Sequence, residues 1–154
     1  LARNFAGEIR ASRVVVCPKG VWEKSGTLSF AIRPTFSAGD GVVLEPKDGT
    51  NVERLPVTTI DELAAELGLE RVDFIKLHVE GSERQAIEGA RATIAKFRPR
   101  LAVAADHRDD DAERIPEAVR AILPGYRQEC GACYVSARRL LILPSVLLFH
   151  EGER

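Results

Sequence analysis

The sequence contains no methionine, one tryptophan and only three cysteines, and it carries almost no net charge. An odd number of cysteines argues against the disulfide framework of a small secreted protein and favours a reducing, cytoplasmic location. The 22 basic and 23 acidic residues nearly cancel, and no basic stripe interleaves with aromatic residues. No apolar run approaches the ~18 residues that a membrane-spanning helix needs, and the first residues do not resemble a signal peptide. We therefore expect neither a nucleic acid nor a membrane as a partner.

What is present is the composition of one globular domain. The 154 residues are 45% apolar and 29% charged, which is enough for a single hydrophobic core of ordinary size. The chain begins with Leu1 rather than methionine, and residues 1–5 resemble the tail of a helix. We therefore expect residues 1–154 to form one partial domain whose first strands lie upstream.

The hydrophobic pattern predicts alternating strands and helices. Strands are predicted at residues 13–17, 72–80, 101–105, 140–143 and 146–149, with the last two closing the sheet edge. Helices are predicted from Thr59 to Gly68, from Ser82 to about Phe97, and from the acidic residues 109–111 onward with Pro116 near the first turn. Residues 21–32 are expected to form a hairpin-like excursion and residues 33–54 a long loop. The strand–helix–strand order predicts an α/β domain with a parallel sheet.

Two of these helices have the sequence of a capping box at their start. Thr59 with Glu62, and Ser82 with Gln85, place a hydroxyl at the first position and an acid or amide three residues later. This spacing predicts that each hydroxyl accepts a hydrogen bond from a backbone N–H of the first turn.

The segment from Val72 to Glu83 is the one around which the chain is organised. Alternation along a strand places Ile75 and Leu77 on one face and Lys76, His78 and Glu80 on the other. Three ionisable groups thus leave one face near the carboxyl end of a strand. That edge is where ligands bind in open α/β sheets.

The next predicted strand ends in Asp106 and His107. Because adjacent parallel strands lie about 5 Å apart, these two residues could meet His78 and Glu80 in one crevice. The helix start after Gly81 adds backbone donors that suit a carboxylate or phosphate. Two interpretations stay open: a divalent metal or acid–base site, or a structural cluster in which Lys76 pairs with Glu80.

Other motifs give weaker signals. Cys130 and Cys133 form a lone C-x-x-C without the further ligands that a zinc site needs, and they precede strand-like sequence rather than a helix. The glycines of residues 39–41 lack the third glycine and the preceding strand of a dinucleotide fingerprint. No G-x-S-x-G elbow and no P-loop is present, so hydrolase and nucleoside-triphosphatase functions have no support.

With these residues in hand, the segment from Val72 to Glu83 resembles the central motif of FkbM-type methyltransferases, roughly VDFIK-hydrophobic-D-hydrophobic-EG-small-E. Further matches to that family lie at residues 1–4, at residues 57–61 before the first long helix, at Gly89-Ala90, at Pro99 and at Gly125-Tyr126. The resemblance covers about residues 1–126. One position departs from the pattern, because His78 stands where the family motif has aspartate.

The resemblance implies a Rossmann-like class I methyltransferase fold, with a doubly wound and mostly parallel sheet. It implies S-adenosylmethionine as cofactor and a hydroxyl of a sugar or small natural product as methyl acceptor. The family's Gly-rich cofactor loop and the acid that holds the ribose would precede Leu1. The oligomeric state is not implied.

The resemblance also assigns roles to residues. His78 and Glu80 are expected on the acceptor side, with Lys76 orienting Glu80 and with Asp106 and His107 as helpers. The residues that such folds place against adenine would be Gly20, Val21 and Trp22. Two alternatives remain: a non-catalytic α/β module, and a metal-dependent enzyme in which His78, Asp106 and His107 hold the ion.

Overall fold

A computed structural model describes residues 3–31, 41–42, 52–136 and 141–152. Within these ranges the helices are α1 (Ala6–Arg10), α2 (Ile60–Glu66), α3 (Glu83–Glu88), α4 (Arg91–Phe97) and α5 (Asp111–Arg120). The strands are β1 (Gly20–Val21), β2 (Gly26–Ala31), β3 (Gly41–Val42), β4 (Val52–Thr58), β5 (Phe74–Leu77), β6 (Arg100–Ala104), β7 (Tyr126–Cys130), β8 (Cys133–Ser136), β9 (Leu141–Pro144) and β10 (Val146–Glu151). The predicted α/β class is confirmed.

The sheet that carries the central segment has the order β5-β6-β10-β7. Strand β5 pairs with β6 in parallel, with Leu77 opposite Val103, whereas β10 runs antiparallel to both β6 and β7. The prediction of a doubly wound, mostly parallel sheet is therefore not confirmed, because the sheet is mixed. The physical reason is that α5 carries the chain across to β7 and leaves a gap, which β10 fills in the opposite direction. The two carboxyl-terminal strands were predicted correctly, but β10 lies inside this sheet and β9 pairs with β8.

A second mixed sheet has the order β1-β4-β2-β3. Strands β1 and β2 do not form a hairpin with each other, because β1 pairs with β4 in parallel and β2 pairs with β4 antiparallel. The prediction of a long loop over residues 33–54 is wrong in both parts of that range that the structure describes. These parts form β3 and the start of β4. The rest of that loop lies outside the described residues.

The core lies between the main sheet and α3, α4 and α5. Its buried side chains come from β5, β6, β7, β10, the inner faces of these helices and the residues that flank them: Ile75, Leu77, Ala86, Ile87, Ala90, Ile94, Leu101, Val103, Ala105, Ile115, Val119, Leu123, Tyr126, Leu147 and Phe149. Residues 13–17 do not contribute, because Val15 and Val16 are exposed and no described strand pairs with them. The prediction of a buried strand there is wrong, since a β-branched run becomes a strand only beside a partner.

Of the two predicted capping boxes, one forms its capping hydrogen bond and the other does not. Thr59 caps α2 as predicted, because its Oγ1 accepts the N–H of Glu62 at 2.9 Å. Ser82 makes no side-chain capping bond, so the second box is wrong.

The long helix predicted from Ser82 to Phe97 is divided into α3 and α4 at Gly89. A Cβ on Gly89 would lie 2.1 Å from the backbone oxygen of Trp22, so the chain passes too close for a side chain. The helix then restarts, and Asp61 accepts the N–H groups of Ala92 and Thr93 at 3.0 and 2.7 Å. This contact across 31 residues of sequence caps α4 and explains why the break is stable.

Two smaller points concern α5 and the chain as a whole. Pro116 lies inside α5 rather than near its first turn. Among the described residues, no helix has both the length and the apolar character needed to cross a membrane.

Candidate active site

The candidate site begins where β5 ends. Ile75 and Leu77 are buried and Lys76 and His78 are exposed, which confirms the predicted alternation. After Leu77 the chain leaves the strand and turns sharply at Glu80, which adopts a left-handed conformation with φ of 52°. A non-glycine residue in this region is uncommon, and among the described residues only Ser12 and Arg98 share it. The turn directs the Glu80 carboxylate back over the strand end.

Three side chains from the two parallel strand ends converge there, as the sequence predicted. His78 Nε2 lies 3.6 Å from Glu80 Oε1, and His107 Nε2 lies 3.5 Å from Glu80 Oε2. The two imidazole rings are 5.1 Å apart between centroids and tilted by 57°. Glu80 therefore lies between two histidines, with one oxygen directed to each.

Glu83 lies behind His107 and was not among the predicted site residues. It is only 1% exposed, and its Oε1 lies 3.0 Å from His107 Nδ1 and accepts the N–H of Val79 at 2.8 Å. Because a carboxylate attracts the imidazole proton, this contact favours the proton on Nδ1 and leaves the lone pair of His107 on Nε2, facing Glu80. Among the described residues, Glu83 Oε2 and His107 Nδ1 are both buried without a hydrogen-bond partner, so the 3.0 Å contact is an ion-pair contact and not a hydrogen bond.

Two further residues, Arg108 and Asp111, hold the loop after β6 against the loop after β5. Arg108 donates from Nε to the carbonyl of Gly81 at 2.6 Å, and its own N–H donates to Asp111 Oδ2 at 2.7 Å. Asp111 is fully buried, and this burial raises the pKa of its carboxyl above the usual range. Asp111 is the first residue of α5, and its side chain turns inward to hold this loop rather than facing solvent.

The structure separates the predicted site residues into those that meet and those that do not. Lys76 is exposed and makes no hydrogen bond or ion pair within the described residues, so the predicted pairing with Glu80 is not formed. The strand ends at Leu77 and the chain turns at Glu80, and the Glu80 carboxylate faces His78 and His107 instead. Asp106 stays at the margin, with Oδ1 4.0 Å from His107 Nδ1. The sequence predicted that the start of α3 would suit an anion. The first residue of α3 is Glu83, so the chain's own carboxylate lies at that helix start.

The three residues predicted to contact a cofactor belong to the packing of the second sheet. Gly20 lies against Val57 and Phe30 and leaves no room for a Cβ. Trp22 is buried. Its backbone N–H donates to the carbonyl of Thr58, and its backbone carbonyl faces Gly89. Gly20, Val21 and Trp22 stay a prediction as cofactor contacts. Cys130 and Cys133 are exposed free thiols at the end of β7 and the start of β8.

A signal for Glu83 was present in the sequence. It is the first residue of α3 and follows Val79 by four positions, so its carboxylate can reach back to the N–H groups left unpaired at the end of a strand. The acid in the first turn was visible, but its burial depends on His107, which comes 24 residues later in the chain.

Comparison with known proteins defines first a class and then a family. The chain shares the fold of a crystallised methyltransferase, methyltransferase FkbM from Methylobacillus flagellatus KT, with a TM-score of 0.63 at 24% sequence identity over 96% of this chain. Residues 6–133 match the family model of the methyltransferase FkbM domain. This protein therefore belongs to the FkbM methyltransferase domain family. The chain spans 31% of that crystallised chain, and no curated protein matches it.

Proposed function

We propose that this protein, in its full-length form, transfers a methyl group from S-adenosylmethionine to a hydroxyl of a sugar or small natural product. The observation that carries the proposal is the convergence of His78, Glu80 and His107 at the carboxyl ends of β5 and β6, in a chain of the FkbM methyltransferase family. Ligand sites of α/β sheets lie at this edge.

The chemistry asks two things of the protein. A hydroxyl oxygen must be held in line with the methyl group, and its proton must be removed as the carbon–oxygen bond forms. When bound, S-adenosylmethionine supplies the methyl group on a positively charged sulfur. The described residues fit the acceptor side of such a site, because His78 is 50% exposed and its Nε2 is open to a ligand. Gly20 and Trp22, which are engaged in packing, fit a cofactor less well.

His78 is the proposed acceptor of the hydroxyl proton. The imidazole becomes a cation when it takes that proton, and the carboxylate of Glu80 at 3.6 Å stabilises the positive charge. His107 Nε2 lies 3.5 Å from the second oxygen of Glu80, and Glu83 lies behind His107, so a line of contacts runs from His78 toward the core. Lys76 lies on the same strand face and, within the part of the chain that the structure describes, makes no hydrogen bond or ion pair through which it would act on this group.

The experiment is methyl transfer by the full-length protein, with hydroxylated acceptors and isotopically labelled S-adenosylmethionine. Replacing His78 with alanine is expected to lower kcat by about a hundredfold or more, while cofactor affinity measured by calorimetry stays unchanged. The control is His150→Ala, since His150 is the remaining histidine and lies on β10, paired with Glu129. Methyl transfer at the parental rate by the His78 variant contradicts the role of His78. No cofactor binding by the full-length protein contradicts the function and supports a non-catalytic module.

A further inference from the structure

We propose that His78, Glu80 and His107 form a binding site for one divalent transition-metal cation, of the softness of Zn²⁺ or Co²⁺. The proposal does not rest on methyl transfer, because it concerns binding by side chains alone. Two imidazole nitrogens and one carboxylate make a donor set that such cations bind in many proteins, with further positions left open to solvent or a ligand.

The spacing of the donor atoms is the first argument. The two distances from Glu80 to the histidines are 3.6 and 3.5 Å, and neither contact is a hydrogen bond. Two ligands on one metal, each at 2.0–2.1 Å, lie about 2.9–3.4 Å from each other. The donor atoms of the three residues all lie within 4.8 Å of one another. The distances from Glu80 to the two histidines are slightly longer than coordination requires, so half-exposed His78 would have to turn toward the ion and Glu80 would have to approach His107.

The support behind His107 is the second argument. Histidines that bind metals donate their other ring N–H to a carboxylate or carbonyl, which fixes the tautomer and the ring orientation. Glu83 Oε1 lies near that position, 3.0 Å from Nδ1, at ion-pair distance but without the alignment of a hydrogen bond, and it accepts the N–H of Val79. The proton on Nδ1 leaves Nε2 free to coordinate on the side of Glu80 and His78.

Uncompensated buried charge is the third argument, and it is independent of the spacing. Glu83 and Asp111 are each about 1% exposed, and an oxygen of each lies within 4.8 Å of a ring nitrogen of His107. Within the described residues the ion-pair partner of Glu83 is His107, and Glu83 Oε2 has no hydrogen bond. Buried carboxylates are costly without a positive partner. A cation on Nε2 of His107 supplies positive charge on the far side of the ring and strengthens the Nδ1 contact with Glu83.

The chemistry of the donors also sets the selectivity. Imidazole suits Zn²⁺, Co²⁺ and related cations, whereas Mg²⁺ prefers oxygen ligands. The site therefore binds Zn²⁺ and Co²⁺ more tightly than Mg²⁺. Without a cation, Nε2 of His78 is free to take the hydroxyl proton; a bound cation would occupy that nitrogen and would instead lower the pKa of a hydroxyl bound beside it.

The test is a titration of the tag-free, metal-stripped full-length chain with Co²⁺ and Zn²⁺, without S-adenosylmethionine. Exposed Cys130 and Cys133 are first replaced with serine, so that thiols do not compete for the ion. One equivalent is expected to bind, and His78→Ala in this background is expected to weaken binding at least about tenfold. His150→Ala is the matched control and leaves the affinity unchanged.

A second variant tests the support behind the site. Glu83→Gln keeps the shape of the side chain and removes its charge, and a loss of about 10–100-fold in Co²⁺ affinity is expected. Thermal unfolding of each variant shows whether the fold is retained. Equal affinity in the parent and in both cluster variants, loss of binding on cysteine replacement alone, or Mg²⁺ affinity equal to that for Zn²⁺ would each overturn the proposal. These outcomes leave the methyl-transfer proposal standing, because cofactor binding is measured separately.

Discussion

Two places on the molecule combine histidine with glutamate, and they differ in every geometric respect. His150 and Glu129 are diagonal neighbours on β10 and β7, with a hydrogen bond of 3.0 Å from Nε2 and a second of 2.6 Å between Nδ1 and the carbonyl of Glu151. Both ring nitrogens of His150 are thus satisfied by groups close to it. In the cluster of His78, Glu80 and His107, the corresponding distances are 3.5 and 3.6 Å, and neither Nε2 atom makes a hydrogen bond to another described residue.

The difference shows what distinguishes a surface pair from a candidate site. A pair on adjacent strands completes its own hydrogen bonds and has no capacity left for a ligand. The cluster unites two strand ends and the start of α3, and it has a buried carboxylate behind it and donors directed toward one point. The same residue types therefore give a structural contact in one place and an open set of donors in the other.

The largest effect is expected from a change in the scaffold under the cluster. Gly89 ends α3, the helix that carries Glu83, and a Cβ there would lie 2.1 Å from the backbone oxygen of Trp22. Gly89→Ala must push α3 away from the second sheet. We expect a loss of about 3 kcal/mol in the free energy of unfolding, measured by urea denaturation, together with weaker Co²⁺ binding.

Gly152 provides the matched control beside the other histidine. A Cβ there would lie 2.7 Å from Nε of Arg127, the far end of a flexible side chain that can move. Gly152→Ala is expected to change stability by less than about 0.5 kcal/mol. Equal losses in the two variants would show that the close approach at Gly89 does not limit the position of α3.

Much of the cluster could be predicted from the sequence because it depends on local periodicity. Alternation along residues 72–80 placed Lys76, His78 and Glu80 on one face, and the strand–helix–strand order made β5 and β6 parallel neighbours. Both rules depend only on spacing along the chain. That is why the approach of His107 to Glu80 could be expected without a structure.

The remaining features depend on contacts between distant residues, and no local pattern contains them. The break at Gly89 requires Trp22, the cap of α4 requires Asp61, and the burial of Asp111 requires the loop around Arg108. Helical periodicity continues through residues 82–97, so it predicted one helix where packing forms two. The place of β10 inside the main sheet likewise follows from a gap that only the assembled strands define.

The next largest effect is expected on the pH dependence of stability. It distinguishes the buried carboxylate of Asp111, which lies behind the cluster, from carboxylates on the surface. Burial raises the pKa of Asp111 above 3.8, so the folded protein keeps this proton to a higher pH than the unfolded chain does. Stability therefore falls as the pH rises from 3.8 through the raised value of the folded state. Asp111→Asn, whose amide oxygen can still accept the N–H of Arg108, is expected to flatten this fall and to be more stable than the parent at neutral pH.

Urea unfolding at pH 3.5 and pH 7, with a chelator present, measures this difference. Asp110→Asn is the control, because Asp110 is partly exposed and pairs with Arg84 at 3.1 Å. That variant is expected to gain no stability at neutral pH. A variant at Asp111 that is less stable than the parent by the same amount at both pH values would show that its hydrogen bond, and not its charge, dominates.

The smallest effect is expected at the surface pair. The hydrogen bond with the carbonyl of Glu151, and then that with Glu129, raises the pKa of His150 above 6.5. A raised pKa in the folded state means that the charged imidazole stabilises the fold. This contribution is fully present below pH 6.5 and is lost as the pH rises through the value of the folded state. His150→Gln should therefore be slightly less stable than the parent below pH 6.5 and equal to it at higher pH, as measured by thermal unfolding across this range. A difference that stays constant with pH would mean that His150 contributes by packing, and the contrast with the cluster would then rest on geometry alone.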